Sequence, residues 1–190
     1  MNKTDIKKIV ELIHTSGELK KIKRTGWGYR GIKDAESVAD HSYRTAIIAL
    51  FLGKNFGLDA EKILKIALIH DLAEAITGDL VVDGKGPKYD TTKEKKHELE
   101  VKAIKKILLG FSDYDAYLSL WNEYEDKGSP EAIIVGEMDK LELAFQAIEY
   151  EKEKRTKIPL DEFLATAKKG IQNPLLKQIM EELEKERSKN

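Results

Sequence analysis

The sequence predicts an all-α protein, and three observations support this fold class. Apolar residues recur at intervals of three and four through most of the chain, which is the period of amphipathic helices. Ser129-Pro130 and Asn173-Pro174 each place a capping residue before a proline, the arrangement that opens many helices. The sequence also contains no convincing pair of alternating strand segments. The apolar stripes of these helices then form the core.

The first half of the chain is expected to contain four elements. Thr4 is a candidate cap for the first helix, and a short second helix is expected over 16–23. Residues 24–31 are predicted to form a loop, because three glycines in this segment disfavour helix. A long helix is expected over 37–54, and the side chains expected to face inward are Val38, His41, Ile47, Leu50 and Phe51.

The second half is predicted to continue in the same way. Asp59 is a candidate cap for a helix that ends near Gly78. The segment 81–87 is a loop of about the length used for active-site lids, and a helix follows over 91–109. The helices that open at the two capped prolines complete the chain.

Composition limits the classes of protein that fit. The 190 residues, taken as a single domain over 1–190, can bury a sizeable core, and 41% hydrophobic and 35% charged residues suit a soluble globular protein. A formal net charge of −1 argues against binding to a nucleic-acid polymer. The chain has no cysteine, which excludes thiolate ligands, and shows neither a signal segment nor an apolar run of membrane-spanning length. We therefore expect a cytoplasmic protein without a membrane partner.

Four polar residues stand in unusually apolar surroundings. His70-Asp71 lies within the run 66–74, His41 within 37–42 and Asp139 within 135–141. An uncompensated buried carboxylate costs several kcal/mol, so such a group is normally paired or bound to a metal. Four candidate ligands from three apolar segments indicate one metal centre inside a helical bundle.

Each of these residues also has a purely structural interpretation. His41 alone would be read as a hydrogen-bonded core residue, His70-Asp71 as a helical ion pair, and Asp139 as a partner of a neighbouring lysine. Because all four residues occur in one chain, metal binding is favoured over these separate structural interpretations. Imidazole and carboxylate ligands suit one divalent transition metal, Mn, Fe, Co, Ni or Zn, better than Ca, and Mg is also compatible.

An acidic residue follows the His-Asp pair at helical spacing. Glu74 lies four residues after His70 and three after Asp71, so it shares a helix face with both. A carboxyl group in that position can exchange a proton with water near a metal.

These motifs resemble a known family. Segments 24–27, 36–41, 70–74 and 77–79 look like the HD domain-containing protein 2 group of the HD-superfamily phosphohydrolases, which is akin to the bacterial 5'-deoxynucleotidases. The resemblance implies an all-α HD-domain helical bundle, one divalent metal, and hydrolysis of deoxynucleoside 5'-monophosphates.

The resemblance also implies roles for individual residues. Glu74 matches the acidic residue that handles protons, and Asp79 matches a second acidic residue of the site. Arg24 matches a cation for the phosphate or nucleotide, and Trp27 an aromatic that contacts the sugar. In the bacterial enzymes these last two are adjacent, whereas here Thr25-Gly26 separates them. The residues that match metal ligands are His41, His70, Asp71 and Asp139.

The resulting expectation is a phosphohydrolase that acts on nucleoside 5'-monophosphates, with a preference for deoxy forms. Its expected partners are a small nucleotide substrate and a second copy of the chain in a homodimer. Two alternatives stay open: an HD-type phosphodiesterase or other nucleotide hydrolase, and a nucleotide-binding regulatory protein.

Overall fold

A computed structural model describes residues 3–82 and 91–189, and the predicted all-α fold is confirmed. Within these ranges the chain forms ten α-helices and one 3₁₀ turn over Gly53–Phe56, with two isolated bridges, Lys23 to Ser37 and Val82 to Thr91. The helices are α1 Lys3–Glu18, α2 Thr25–Gly28, α3 Val38–Leu52, α4 Ala60–Ile69, α5 Glu74–Thr77, α6 Lys93–Leu108, α7 Tyr114–Asp126, α8 Pro130–Lys152, α9 Asp161–Gly170 and α10 Pro174–Arg187. Throughout the described ranges, no helix is long and apolar enough to cross a membrane.

Helix α8 is the centre of the bundle. It packs against α3, α4, α9 and α10, and buried side chains occur on every side of it. An all-round buried helix does not show the one-sided apolar stripe of a surface helix. Three acidic residues of α8, Glu137, Asp139 and Glu142, are therefore buried inside the protein.

Side-chain caps fix where several helices begin. Asp59 accepts hydrogen bonds from the amides of Glu61 and Lys62, both at 3.0 Å. Ser129 and Asn173 cap α8 and α10 in the same manner, as the sequence predicts. The predicted cap at Thr4 is wrong, because α1 already includes this residue.

Three other predicted elements differ from the structure. The short helix expected over 16–23 is wrong, since α1 continues to Glu18 and Lys23 then pairs as an extended bridge residue. The predicted loop over 24–31 contains the one-turn helix α2. The single helix expected from Asp59 to Gly78 is interrupted between α4 and α5. Most of the predicted lid loop, residues 83–87, lies outside the described residues.

Candidate metal centre and active site

The first candidate ligand is fixed at the beginning of α3. Ser37 and Asp40 form a reciprocal capping box there, which sets the direction of the first helical turn. His41, in that turn, is completely buried. Its Nδ1 atom lies 2.5 Å from Oε2 of Glu142 on α8, so its Nε2 atom points away from that carboxylate, towards the interior.

The His-Asp pair lies where α4 ends. After Ile69 the backbone tightens, with hydrogen bonds from the amides of Leu72 to Ile69 O and of Glu74 to Asp71 O, each three residues back. Consecutive residues of a regular helix diverge around its axis, and this interruption changes their directions. The departure from a regular helix therefore occurs at the two residues predicted as ligands.

The ring of His70 has a defined tautomer. Its Nδ1 atom lies 2.8 Å from the carbonyl oxygen of Ala67, which can only accept a hydrogen bond. Nδ1 thus carries a proton, and Nε2 is the atom at which the neutral ring offers its lone pair. The indole of Trp121 donates to the carbonyl of His70 at 3.2 Å and holds the main chain of the pair in place.

The four predicted ligands converge. Nε2 of His41 lies 3.1 Å from Oδ1 of Asp139 and 3.6 Å from Oδ2 of Asp71. Nε2 of His70 lies 3.2 Å from the same Asp71 oxygen. Ligand atoms of His41, His70 and Asp139 all lie within 4.8 Å of one another.

This set fits a metal ion. The Nε2 atoms of His41 and His70 are buried, and neither has a hydrogen-bond partner among the residues that the structure describes. A buried polar atom without a partner is unfavourable, and coordination to a cation satisfies an imidazole lone pair. Two such nitrogens beside two carboxylates form a donor set that can hold a divalent ion.

Both carboxylates favour their charged form. Burial alone would raise the pKa of Asp139, but Lys140, whose Nζ lies 2.8 Å away, and His41 hold that pKa well below its usual range. The pKa of Asp71 is likewise lowered, against burial, by His70 and His41. Both residues are therefore available as anionic ligands.

A cavity of about 700 Å³ opens above this centre. That size is within the range of small-molecule sites, roughly 300–1,000 Å³. His70, Asp71 and Asp139 line one part of it, and Arg24 and Asp79 line it beside them.

Arg24 stands between two acidic groups. Its Nη1 atom lies 3.5 Å from Asp71 and 3.8 Å from Asp79, distances that leave its donors incompletely engaged. Burial alone would lower the pKa of Arg24, but the carboxylates of Asp79 and Asp71 raise it, so the guanidinium stays charged. Asp79 is anchored to α2, because it accepts from the amide of Thr25 at 2.5 Å and its carbonyl accepts from the Thr25 hydroxyl at 2.7 Å.

Glu74 begins α5 at the edge of the cavity and is 3% exposed. Oε1 lies 3.7 Å from Nζ of Lys96, while Oε2 is buried and has no hydrogen-bond partner within the described ranges. Burial, followed by the negative charges of Asp71 and Asp79, raises the pKa of Glu74 well above its usual value. The surroundings of Glu74 therefore favour the protonated form of its carboxyl group.

Trp27 is not where the predicted sugar contact requires it. The side chain is 1% exposed, stacks on Phe163 at 4.3 Å and meets Tyr150 edge-on at 5.2 Å. Its indole nitrogen donates to Glu36 at 2.9 Å. Trp27 does not line the cavity described above, so the assignment to the sugar is corrected to a core position. One-turn helix α2 turns the indole inward while Arg24, just before it, faces the cavity.

Several residues of the site did not emerge from the sequence. The hydroxyl of Tyr124 donates to Asp139 at 3.4 Å and its ring lies 5.1 Å from that of His70. Lys96 and Lys140 line the cavity, and Glu142 supports His41. One signal was present, because Glu142 follows Asp139 by three residues in an apolar helix and so shares its face.

The fold and the site together define a class of protein. The helical bundle brings His41, the His70-Asp71 pair and Asp139 together beside one cavity, and this order of residues is the one that resembles the HD superfamily. The family model described as HD domain matches residues 16–180, and the chain belongs to this family.

More specific similarities extend over nearly the whole chain. It is 38% identical over 190 residues to 5'-deoxynucleotidase HDDC2 of Dictyostelium discoideum, covering 94% of this chain and 97% of that protein. It is 36% identical over 184 residues to 5'-deoxynucleotidase HDDC2 of Homo sapiens, covering 96% and 87%. A solved structure of a conserved hypothetical protein from Pyrococcus furiosus is similar with a TM-score of 0.75 and 40% identity, over 93% of this chain and 99% of that one.

Proposed function

We propose that this protein is a metal-dependent phosphomonoesterase that removes phosphate from deoxynucleoside 5'-monophosphates. The observation that carries the proposal is the pair of buried Nε2 atoms of His41 and His70, which have no hydrogen-bond partner in the described part of the chain. They lie beside two carboxylates, below a cavity lined by Arg24. The names of the relatives supply the substrate class, since both are 5'-deoxynucleotidases.

The metal would be held by His41, His70, Asp71 and Asp139. We propose one divalent ion, with Mn, Fe, Co, Ni or Zn favoured by the imidazole and carboxylate donors and Mg also compatible. Such an ion supplies Lewis-acid activation of water and of a phosphoryl oxygen.

The protein's own side chains bind and orient the nucleotide. The incompletely engaged guanidinium of Arg24 offers charge-assisted hydrogen bonds to a phosphate group. Asp79 keeps Arg24 directed into the cavity and, through Thr25, joins α2 to the segment after α5. Phosphate recognition thus depends on the contact between these two segments.

Glu74 handles the proton. Its protonated carboxyl group gives a proton to the 5'-oxygen of the nucleoside as the phosphorus–oxygen bond breaks, and the attacking water replaces that proton. A raised pKa suits this role, because a group must be protonated at the working pH to act as an acid.

We further propose a cytoplasmic homodimer. Support for the dimer comes from α3. The prediction that Leu50 and Phe51 face inward is wrong, because they are 54% and 74% exposed, and they share a helix side with Tyr43, which is 69% exposed.

The experiment that tests the function is a phosphate-release panel with dAMP, dGMP, dTMP, dCMP, AMP and UMP, each with Mn, Co, Zn or Mg added. We expect release from the deoxy forms with at least one metal, and none from the Asp71→Ala variant, which should also lack bound metal by elemental analysis. A phosphodiester included in the panel distinguishes the phosphodiesterase alternative. Nucleotide binding without phosphate release from any substrate would instead indicate a regulatory protein, and normal metal content in Asp71→Ala would refute the ligand assignment.

A further inference from the structure

The second ring nitrogen of His41 has a charged partner. Nδ1 lies 2.5 Å from Oε2 of Glu142, and both side chains are completely inaccessible to solvent. Glu142 follows the proposed ligand Asp139 by one helical turn on α8. One face of α8 therefore contributes both a ligand and the group that supports a ligand from α3.

Arg44 holds Glu142 in turn. It follows His41 by three residues on α3, and its Nε atom donates to Oε1 of Glu142 at 2.9 Å. Its two terminal nitrogens donate to Glu149 at 2.7 Å and Gln146 at 2.6 Å. Residues on three successive turns of α8 thus hold the guanidinium of Arg44. One carboxylate oxygen of Glu142 accepts from Arg44, and the other lies against His41.

The same region contains a second group of possible metal donors. Ligand atoms of Glu36, His41 and Glu142 all lie within 4.8 Å of one another. A cation is already present, because the guanidinium of Arg44 lies 2.8 Å from Glu142 and 4.0 Å from Glu36. Trp27 donates to the other oxygen of Glu36. This group therefore forms a support structure behind the metal centre and does not require an ion of its own.

The geometry points to Glu142 and Arg44 as a positioning pair for the metal centre. Glu142 fixes the ring of His41 with its Nδ1 proton directed at the carboxylate, so that Nε2 is directed towards Asp71 and Asp139, which would hold the ion with it. Such partners of metal-bound histidines orient the ring and increase its basicity. His70 has a backbone carbonyl in the same role, whereas the support of His41 can be removed by substitution. The inference depends on the metal site of the proposed function.

The test measures metal affinity directly. Co²⁺ is titrated against a competing chelator, and the visible absorption of bound Co²⁺ reports the ligand geometry. Glu142→Gln should weaken Co²⁺ binding by roughly 10–100-fold and change the spectrum. Arg44→Gln should weaken it by a smaller factor, and Arg44→Lys, which keeps the charge, should recover part of that loss.

Glu137→Gln is the matched control. Glu137 is a buried glutamate on the same helix, but its carboxylate accepts from the amides of Gln172 and Asn173 at the start of α10. We expect this variant to lower the melting temperature and to leave the Co²⁺ dissociation constant within twofold of the wild type. An equal loss of affinity in Glu137→Gln and Glu142→Gln would overturn the proposal, because it would reflect general destabilisation.

Other results would overturn either the positioning role or the metal site itself. A Co²⁺ affinity and spectrum unchanged in Glu142→Gln would overturn the positioning role while leaving the proposed function intact. If Glu142→Gln does not fold, an unchanged Co²⁺ affinity in Arg44→Gln would also overturn the positioning role. Absence of Co²⁺ binding by the wild type, with no metal-stimulated phosphate release, would refute the metal site itself and this inference with it.

Discussion

At the scale of single residues, the acidic groups of the site differ in pKa because their surroundings differ. Asp71 and Asp139 lie near cations and stay ionised, whereas Glu74 faces two carboxylates and has a raised pKa. Groups whose environments move their pKa values apart take different chemical roles. The two aspartates are suited to ligation and Glu74 to proton transfer.

We predict that Glu74→Gln retains the metal and loses activity. Glutamine has the size of the carboxylate but cannot exchange a proton, and loss of a general acid or base lowers kcat by about 10²–10⁴-fold. Steady-state kinetics with dAMP, together with metal content by elemental analysis, measures both effects. A kcat near that of the wild type in the metal-loaded variant would contradict the role. Glu94→Gln, also at the cavity edge, is the control and should keep most of the activity.

A second prediction concerns Trp27. Trp27→Phe keeps an aromatic ring in the core but removes the hydrogen bond to Glu36, and a buried group left without its partner costs about 1–3 kcal/mol. Denaturant unfolding should show this loss. The ratio of kcat/KM for dAMP to that for AMP should be unchanged, because the side chain does not line the cavity. A markedly lower ratio in this variant would restore the sugar contact that the sequence suggested.

The residues whose proximity the sequence predicts are those whose chemistry conflicts with their neighbours. His41, His70 and Asp71 stand in apolar segments, and the structure brings them together. Tyr124 is a normal residue for an amphipathic helix, and its contact with Asp139 depends on how two helices dock. Nothing local in the sequence specifies that docking.

At the scale of elements, the caps explain which helices could be predicted. The helices that begin at Ser37, Asp59, Thr92, Ser129 and Asn173 have side-chain caps, and each was predicted within a residue or two. Helices α7 and α9 were missed, and neither has a side-chain cap. Their starts are determined by packing against other helices, which a single sequence does not display.

Helix α6 provides a pH-dependent prediction. Glu100 is 4% exposed, and burial raises its pKa to about 7, against the nearby charge of Lys96 and together with that of Glu125. The folded state therefore binds more protons than the unfolded state between pH of about 4.5 and 7, so this group's contribution to stability is lost as the pH rises through that interval. Glutamine cannot ionise, so Glu100→Gln should reduce this fall in the free energy of unfolding by on the order of 1–3 kcal/mol.

Denaturant unfolding at pH 5 and pH 8, with chelator present to exclude metal effects, measures this change. Glu98→Gln on the same helix is the control, since Glu98 is exposed and its pKa is lowered by Lys102 and Lys95. An identical pH dependence in the wild type and Glu100→Gln would show that Glu100 does not titrate in this interval.

At the scale of the whole molecule, the proposed ligands join α3, the end of α4 and α8. A ligand that binds the folded state alone adds RT ln(1 + [L]/Kd) to its stability, about 2.7 kcal/mol at 100 times the Kd. For a chain of this length we expect metal addition to raise the melting temperature by roughly 5–10 °C, and a chelator to reverse it. Differential scanning calorimetry measures the shift. Asp71→Ala should show almost none, and a shift of the same size in that variant would place the binding elsewhere.

The wide separation of these ligands along the chain has a kinetic consequence. His41, His70 and Asp139 meet only after long intervening segments have folded around them, and such distant contacts form late because closing long loops is entropically unfavourable. An interaction absent from the transition state changes the rate of unfolding and leaves the rate of folding almost unchanged. Bound metal should thus lengthen the lifetime of the folded protein without helping it to form.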